Sequence, residues 1–196
     1  MRPKIFMLDQ FLLERIIQEA YEVLSRVGVL MENPEATQLL LDGGCVLHNR
    51  RVCIPQALVE KALYTVPSTL ILYDREGLPA LDLSEDRIHF NPGSSALRIL
   101  DWPSQQERRP RTEDLVRLAR LTDRLPHLAA QSTGLVAGDV PQEMVDRYRL
   151  YLALLHSAKP VITGTFTLQG FKVMHDLLAT VRGGQKELRL KPLAIF

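Results

Sequence analysis

The sequence predicts an α/β fold organised around parallel strands, and three observations carry that expectation. From Arg87 onward, short apolar runs alternate with amphipathic stretches. Each stretch is long enough to serve as the crossover that parallel pairing requires. Two of the stretches open on Thr or Pro, and two close on Pro or Gly, residue types that favour those ends of a helix.

In the first unit, residues 87–91 (RIHFN) alternate as a short strand, and residues 112–125 place Leu115, Leu118 and Ala119 on one helical face. Thr112 is the expected N-cap, Glu113 and Asp114 suit the positive end of the helix dipole, and Pro126 marks the stop. The second unit runs from a strand at 128–131, through a glycine-containing loop, to a helix at 141–156. Met144, Val145, Tyr148, Leu152 and Leu155 form its expected buried stripe, and Asp139 is expected to open it. The third has a strand at 160–165 and a helix at 168–182 that ends at Gly183, where a left-handed residue is favoured. A fourth strand begins at Pro192 and still runs at Phe196, so the sequence predicts an unfinished series.

Before Arg87 the texture differs. Residues 9–27 form an amphipathic helix with Leu13, Ile16, Ile17, Ala20, Leu24 and Val27 on one face and Gly28 as terminator. Asn33-Pro34 opens a second helix ending at Gly43-Gly44. Residues 45–54 read as a hairpin turning at His48, Asn49 and Arg50, Pro55 starts a third helix, and residues 69–83 read as a second hairpin turning at 74–77. The resulting division is a helical and β-hairpin cap at 1–86 and β/α units at 87–196.

With 46% hydrophobic residues the chain can bury a substantial core, and its net charge of +1 gives no reason to expect a nucleic-acid or membrane partner. Arg108, Arg109 and Arg111 read as a solvated loop, because no aromatics are interleaved with them for base stacking. Arg2 and Lys4 precede apolar positions broken by Asp9, Glu14 and Glu19, which is not a secretory pattern, so a cytoplasmic location is expected. Cys45 and Cys53 flank His48 without any zinc-like spacing, so idle thiols and no metal site are expected. No Walker or Rossmann glycine loop, G-x-S-x-G elbow or H-E-x-x-H motif occurs. Gly93-Ser94-Ser95 reads as a tight turn rather than an anion loop.

The succession GVLMENPEA (28–36), LLLDGGCVLHNRRVCIPQALVEKAL (39–63), HFNPGSSALRILDWPSQQERRPRTEDL (89–115), GDVP (138–141) and AKP (158–160) resembles the trimethylamine methyltransferase family. The resemblance implies a TIM (β/α)8 barrel, here about its first half, and a corrinoid-dependent methyltransferase. Such an enzyme moves a methyl group from a methylamine or quaternary amine to the cobalt of a separate corrinoid protein. This chain would itself bind no cofactor. Some archaeal members carry pyrrolysine, at a position beyond Phe196. A full barrel needs about 250 residues, and half a barrel would expose an unpaired edge. A truncated chain, or a homo-oligomer pairing two halves, is therefore expected. The alternatives are an inactive fragment or pseudoenzyme, another TIM-barrel enzyme, and, structurally, a Rossmann-like open sheet.

In such a barrel the site forms at the C-terminal ends of the strands. Alternation places His89 and Asn91 opposite Ile88 and Phe90, and Thr163 and Thr165 opposite Ile162, while Gln131 ends the second strand, so the apolar partners are expected beneath the helices and the polar residues toward the barrel axis. His89 is the expected catalytic residue, with Asn91, Gln131, Thr163 and Thr165 binding substrate. Trp102, Tyr73 and Phe166 are the candidate aromatic faces for a methylated cation.

Overall fold

The computed structural model describes residues 6–102 and 104–196, so Arg2 and Lys4 lie outside it. The chain divides into two compact units, Met1–Pro67 and Ser68–Phe196.

In the first unit α1 (Gln10–Glu22) starts at Asp9, whose carboxylate accepts the Leu12 N–H at 2.7 Å and satisfies an otherwise free amide. The elements after it are β1 (Val29–Leu30), α2 (Pro34–Asp42), β2 (Val46–His48), β3 (Arg51–Cys53) and α3 (Gln56–Tyr64). Asn33 caps α2 as its sequence position predicts. β3 lies between β1 and β2 in an antiparallel sheet. Asn49 and Arg50 both take positive φ, the conformation a two-residue hairpin turn needs. Cys45 is buried, Cys53 is half-buried, and both are free thiols. The pattern of α1 predicts a buried stripe, yet no residue of α1 is buried. Periodicity shows which residues share a face, whereas burial requires a partner for that face.

The second unit contains two hairpins, β4 (Ile71–Tyr73) with β5 (Pro79–Asp82) and β6 (Ile99–Asp101) with β7 (Gln106–Arg108). The remaining elements are α4 (Thr112–Arg124), β8 (Gln131–Ser132), α5 (Val145–His156), β9 (Val161–Ile162), α6 (Leu168–Arg182), α7 (Gln185–Leu190) and β10 (Ala194–Ile195). β8, β9 and β10 are parallel and adjacent in chain order, with Gln131 opposite Val161 and Val161 opposite Ala194. Phe90 joins the same array by a parallel bridge to Leu128, and Ala96 by another to Leu135. The fold is thus mixed α/β, with successive segments paired in parallel as the alternation predicts.

One face of the sheet carries the helices. Val161 packs there with Leu150 and Leu154 of α5, Met174 and Leu178 of α6, and Leu193. On the other face Ala130, Ile162 and Ile195 pack against Leu72 and Leu81 of the β4–β5 hairpin. That hairpin, grouped by sequence with residues 1–86, lies within the second compact unit. Its backbone reaches the approaches to two strands: the Tyr73 N–H donates to Pro192 O (2.8 Å) and the Arg75 N–H to Ala158 O (2.7 Å). The hairpin therefore lies at the N-terminal ends of the strands.

Several local expectations are corrected. Arg111, not Thr112, is the N-cap of α4, and Asp114 accepts the Arg111 N–H at 2.8 Å. Asp139 does not open α5; its carboxylate accepts the Thr112 N–H at 3.0 Å and so serves α4. The run read as a solvated loop forms the end of β7 and the segment leading into α4. There the Arg108 guanidinium grips both oxygens of Asp114 at 2.7 and 2.9 Å, and the Arg108 Nε–H donates to Asp101 at 3.1 Å. In α5 the buried set is Val145, Asp146, Arg149, Leu150, Leu152, Ala153 and Leu154, while Met144 and Leu155 are exposed. The stripe is wider than expected because α5 packs against both α4 and α6 as well as β9. Ile88 and Phe90, expected beneath the helices, are 75% and 65% exposed.

Met174 is fully buried in the helix-side core. Met174→Ala is expected to destabilise the fold by about 2–5 kcal/mol through lost burial and a residual cavity. The exposed Leu168→Ala should stay within about 0.5 kcal/mol. Urea unfolding followed by circular dichroism checks both.

Candidate active site

The parallel register decides which residues reach the C-terminal ends of the strands. Phe90 stands opposite Leu128, and six residues later Ala96 stands opposite Leu135. The first segment therefore reaches the level of Thr133 only at Ser95, whose N–H donates to Thr133 O at 3.3 Å. His89 lies near the opposite end, where its Nε2 is 2.7 Å from the Asp82 carbonyl oxygen at the end of β5. Asn91 makes a local turn, its Oδ1 accepting the Gly93 N–H at 2.9 Å. Gln131 is buried, but its Nε2 donates to Ala119 O of α4 at 2.7 Å, so its side chain points to the helical layer. The structure does not bring these three residues together.

Thr163 and Thr165 do lie with a polar cluster beyond the strand ends. Thr163 Oγ1 is 3.0 Å from Thr133 Oγ1, and the Thr165 hydroxyl donates to Asp146 Oδ2 at 2.9 Å. Asp146 and Arg149, both on α5 and each only 2% exposed, organise this cluster. Asp146 also accepts the Phe166 N–H at 3.1 Å and the Arg147 N–H at 2.7 Å. Burial pushes its carboxyl up. The Phe166 and Arg147 amides, the Thr165 hydroxyl and the Arg147 charge outweigh that, and the net shift is below the usual carboxylate range.

Arg149 Nη2 donates to Thr133 O at 2.6 Å, to Thr133 Oγ1 and to Ser95 Oγ at 3.2 Å. Its Nε and Nη1 are buried without a partner among the described residues. Burial lowers the Arg149 pKa, and the Asp146 charge offsets part of this. The Phe166 ring lies 5.5 Å from the guanidinium carbon. Reading α5 only for apolar periodicity passes over both residues. The charged cluster Asp146, Arg147 and Arg149 opens the helix, and nothing local distinguishes its two buried members from the half-buried Arg147.

Beside this cluster opens a recess of about 610 Å³. Ser95 and Leu97 line it from the first loop, Val136 and Val140 from the second, Phe166 from the third, and Arg109 from the segment before α4. Phe166 is the one candidate aromatic at the recess. Tyr73 lies at the opposite strand ends with Lys191 Nζ 5.7 Å from its ring, and Trp102 is 82% exposed beside the β6–β7 turn. Among the described residues no cluster of three or more His, Cys, Asp or Glu could hold a metal ion, and no helix is long and apolar enough to cross a membrane.

A parallel α/β sheet with a recess formed by the loops after successive strands is the arrangement of a small-molecule site. Residues 1–193 match the family model described as trimethylamine methyltransferase (MTTB), and the chain belongs to that family. It is 27% identical over 174 residues to trimethylamine methyltransferase MttB of Desulfitobacterium hafniense, covering 88% of this chain and 35% of that protein. It is 30% identical over 152 residues to an L-carnitine:corrinoid methyltransferase of Eubacterium limosum, covering 76% of this chain and 30% of the relative. To a glycine betaine methyltransferase of Desulfitobacterium hafniense it is 22% identical over 199 residues, covering 98% of this chain and 40% of the relative. The chain thus spans well under half the length of these relatives.

Asp146→Ala removes the acceptor of the Phe166 amide, while the Thr165 hydroxyl keeps the Thr167 carbonyl oxygen at 2.9 Å. The expected loss is about 1–3 kcal/mol in urea unfolding. The folded-state pKa of Asp146 is depressed, so its contribution is fully present above the unfolded value of about 3.9 and disappears as pH falls through the folded one. Unfolding measured below about pH 4 should therefore show a shallower acid-induced loss in Asp146→Asn than in the parent. Gly170→Ala should also destabilise, because a Cβ there would meet Asp146 Oδ2.

Proposed function

We propose that the chain supplies the first β/α units, and part of the substrate recess, of an enzyme that transfers a methyl group from a methylated amine to the cobalt of a corrinoid carried by a separate protein. Family membership over residues 1–193 carries this reading. The relatives named for trimethylamine, carnitine and glycine betaine point to the same substrate class. The placement of the recess beyond the ends of parallel strands supports it independently.

The architecture proposed for the whole protein is a (β/α)8 barrel, with further strands pairing beside Phe90 and β10. Exposed Ile88 and Phe90 at one lateral edge and half-exposed Phe196 at the other support this. Such strands could come from the same polypeptide or from a second subunit.

In the reaction an N–CH₃ bond breaks, its electron pair stays on nitrogen, and the methyl group passes to cobalt. The corrinoid supplies the nucleophile. The tasks left to this chain are to hold the amine, exclude water and keep the recess open toward the partner. Thr163, Thr165 and Phe166 are proposed to shape the wall of the recess. His89, bonded at the opposite strand ends, is given no role in the transfer.

Incubation of the full protein with a reduced corrinoid protein and a panel of methylated amines tests the reading. The expected outcome is a change in the cobalt absorption spectrum, dependent on both this protein and one class of amine. No change with any amine, from a folded sample, would refute it.

A further inference from the structure

The recess has an electrostatic character that the methyl-transfer reading alone does not call for. Arg109 lines it, is exposed and has no ion pair among the described residues, and no carboxylate lines it. Beneath it lies the buried Arg149 guanidinium, joined to the recess through Ser95 Oγ at 3.2 Å. Asp146, the acid on the same helix, spends its oxygens on Thr165, Phe166 and Arg147 rather than on Arg149. The Arg149 charge thus has no hydrogen-bonded counterion among the described residues. Gln142 and Val145, at the entry to α5, also border the recess, so backbone at the positive end of that helix lies beside it.

Ser95 is placed to relay this charge. Its Oγ accepts from Arg149 and lies 3.3 Å from Ser94 Oγ; when Ser94 donates in that contact, the Ser95 hydrogen is free to point into the recess. A hydroxyl donor and an exposed guanidinium above a second, buried guanidinium make an anion site, while Leu97, Val136 and Val140 provide an apolar wall. Phe166 has Arg149 against its ring, so that part of its π surface already serves a cation.

We propose that the recess recognises a carboxylate: the methylated substrate is a zwitterion whose carboxylate is held by the Ser95 hydroxyl and Arg109 over Arg149, with its quaternary ammonium directed away from both arginines. This inference rests on the methylated-amine reading and narrows it. A bare methylammonium cation would meet two positive charges and no lining carboxylate. Ser95 and Arg109 act as specificity-determining residues, and Arg149 is a positioning residue that polarises Ser95.

Calorimetric titration of the full protein with glycine betaine and with tetramethylammonium tests this, because the second probe keeps the methylated cation and removes the carboxylate. Glycine betaine is expected to bind at least about tenfold more tightly, the worth of about 1.4 kcal/mol. Ser95→Ala and Arg109→Gln, both at exposed positions that should leave folding intact, should each reduce that preference several-fold. Equal binding of the two probes, or a preference that neither substitution changes, would overturn the carboxylate site while leaving the methylated-amine reading standing. Binding of neither probe, in a protein that still methylates a corrinoid from trimethylamine, would also overturn it. Binding of neither in a protein with no transfer activity would remove both.

Discussion

Parallel pairing is the constraint that organises the rest of the second unit. Strands that run the same way cannot be joined by tight turns, so each must be succeeded by a crossover that returns the chain to the starting end. The loops that leave β8 and β9, and the segment after Phe90, therefore gather at one end of the sheet, and the returning loops gather at the other. A recess at the first end and a hairpin at the second are two consequences of one hydrogen-bonding pattern.

The two ends have been given different chemistry. At the N-terminal end the β4–β5 hairpin inserts Leu72 and Leu81 against Ala130, Ile162 and Ile195, so apolar burial closes that side. Lys191 Nζ reinforces it by donating to Gly77 O at 2.9 Å, as does Arg182 by donating to Asp74 O at 2.7 Å. Near the start of β9, Lys159 donates to the Thr122 and Leu125 carbonyls at 2.6 and 2.7 Å, satisfying acceptors at the end of α4. At the C-terminal end the buried groups are charged and hydroxylated, and they are held by α5. Burying Asp146 and Arg149 is costly unless their partners are supplied. Asp146 is fully supplied, whereas Arg149 retains two donors without partners among the described residues. That contrast marks Arg149 as more than a strut.

The regular pairing is short, and the side-chain network extends its reach. Beyond Ser132, the segment stays aligned with its neighbours through the Thr133–Thr163 hydroxyl contact and the Arg149 bonds to Thr133. Two helical residues thereby hold loops from three successive strands, which is a rigid way to shape a recess from irregular backbone.

The order and type of most elements were legible in the sequence, the β6–β7 hairpin and α7 excepted. Alternating short apolar runs and amphipathic stretches, with Asn33 and Gly183 at helix ends, arise from local backbone preferences that any such chain carries. The family resemblance was legible too, because it rests on the order of motifs rather than on contacts. Register was decided by the tertiary structure. His89 and Gln131 have the residue types and strand positions of a site. Inter-strand pairing nevertheless sets His89 near the β4–β5 hairpin and turns Gln131 toward α4, while Ser95, which reads as part of a turn, arrives at the recess. A one-residue change in register reverses the face of every side chain, and no local preference encodes it. The burial of Asp146 and Arg149 belongs to the same category: charged residues in a helix read as its solvent side until the packing of α4 and α6 on either flank places them inside.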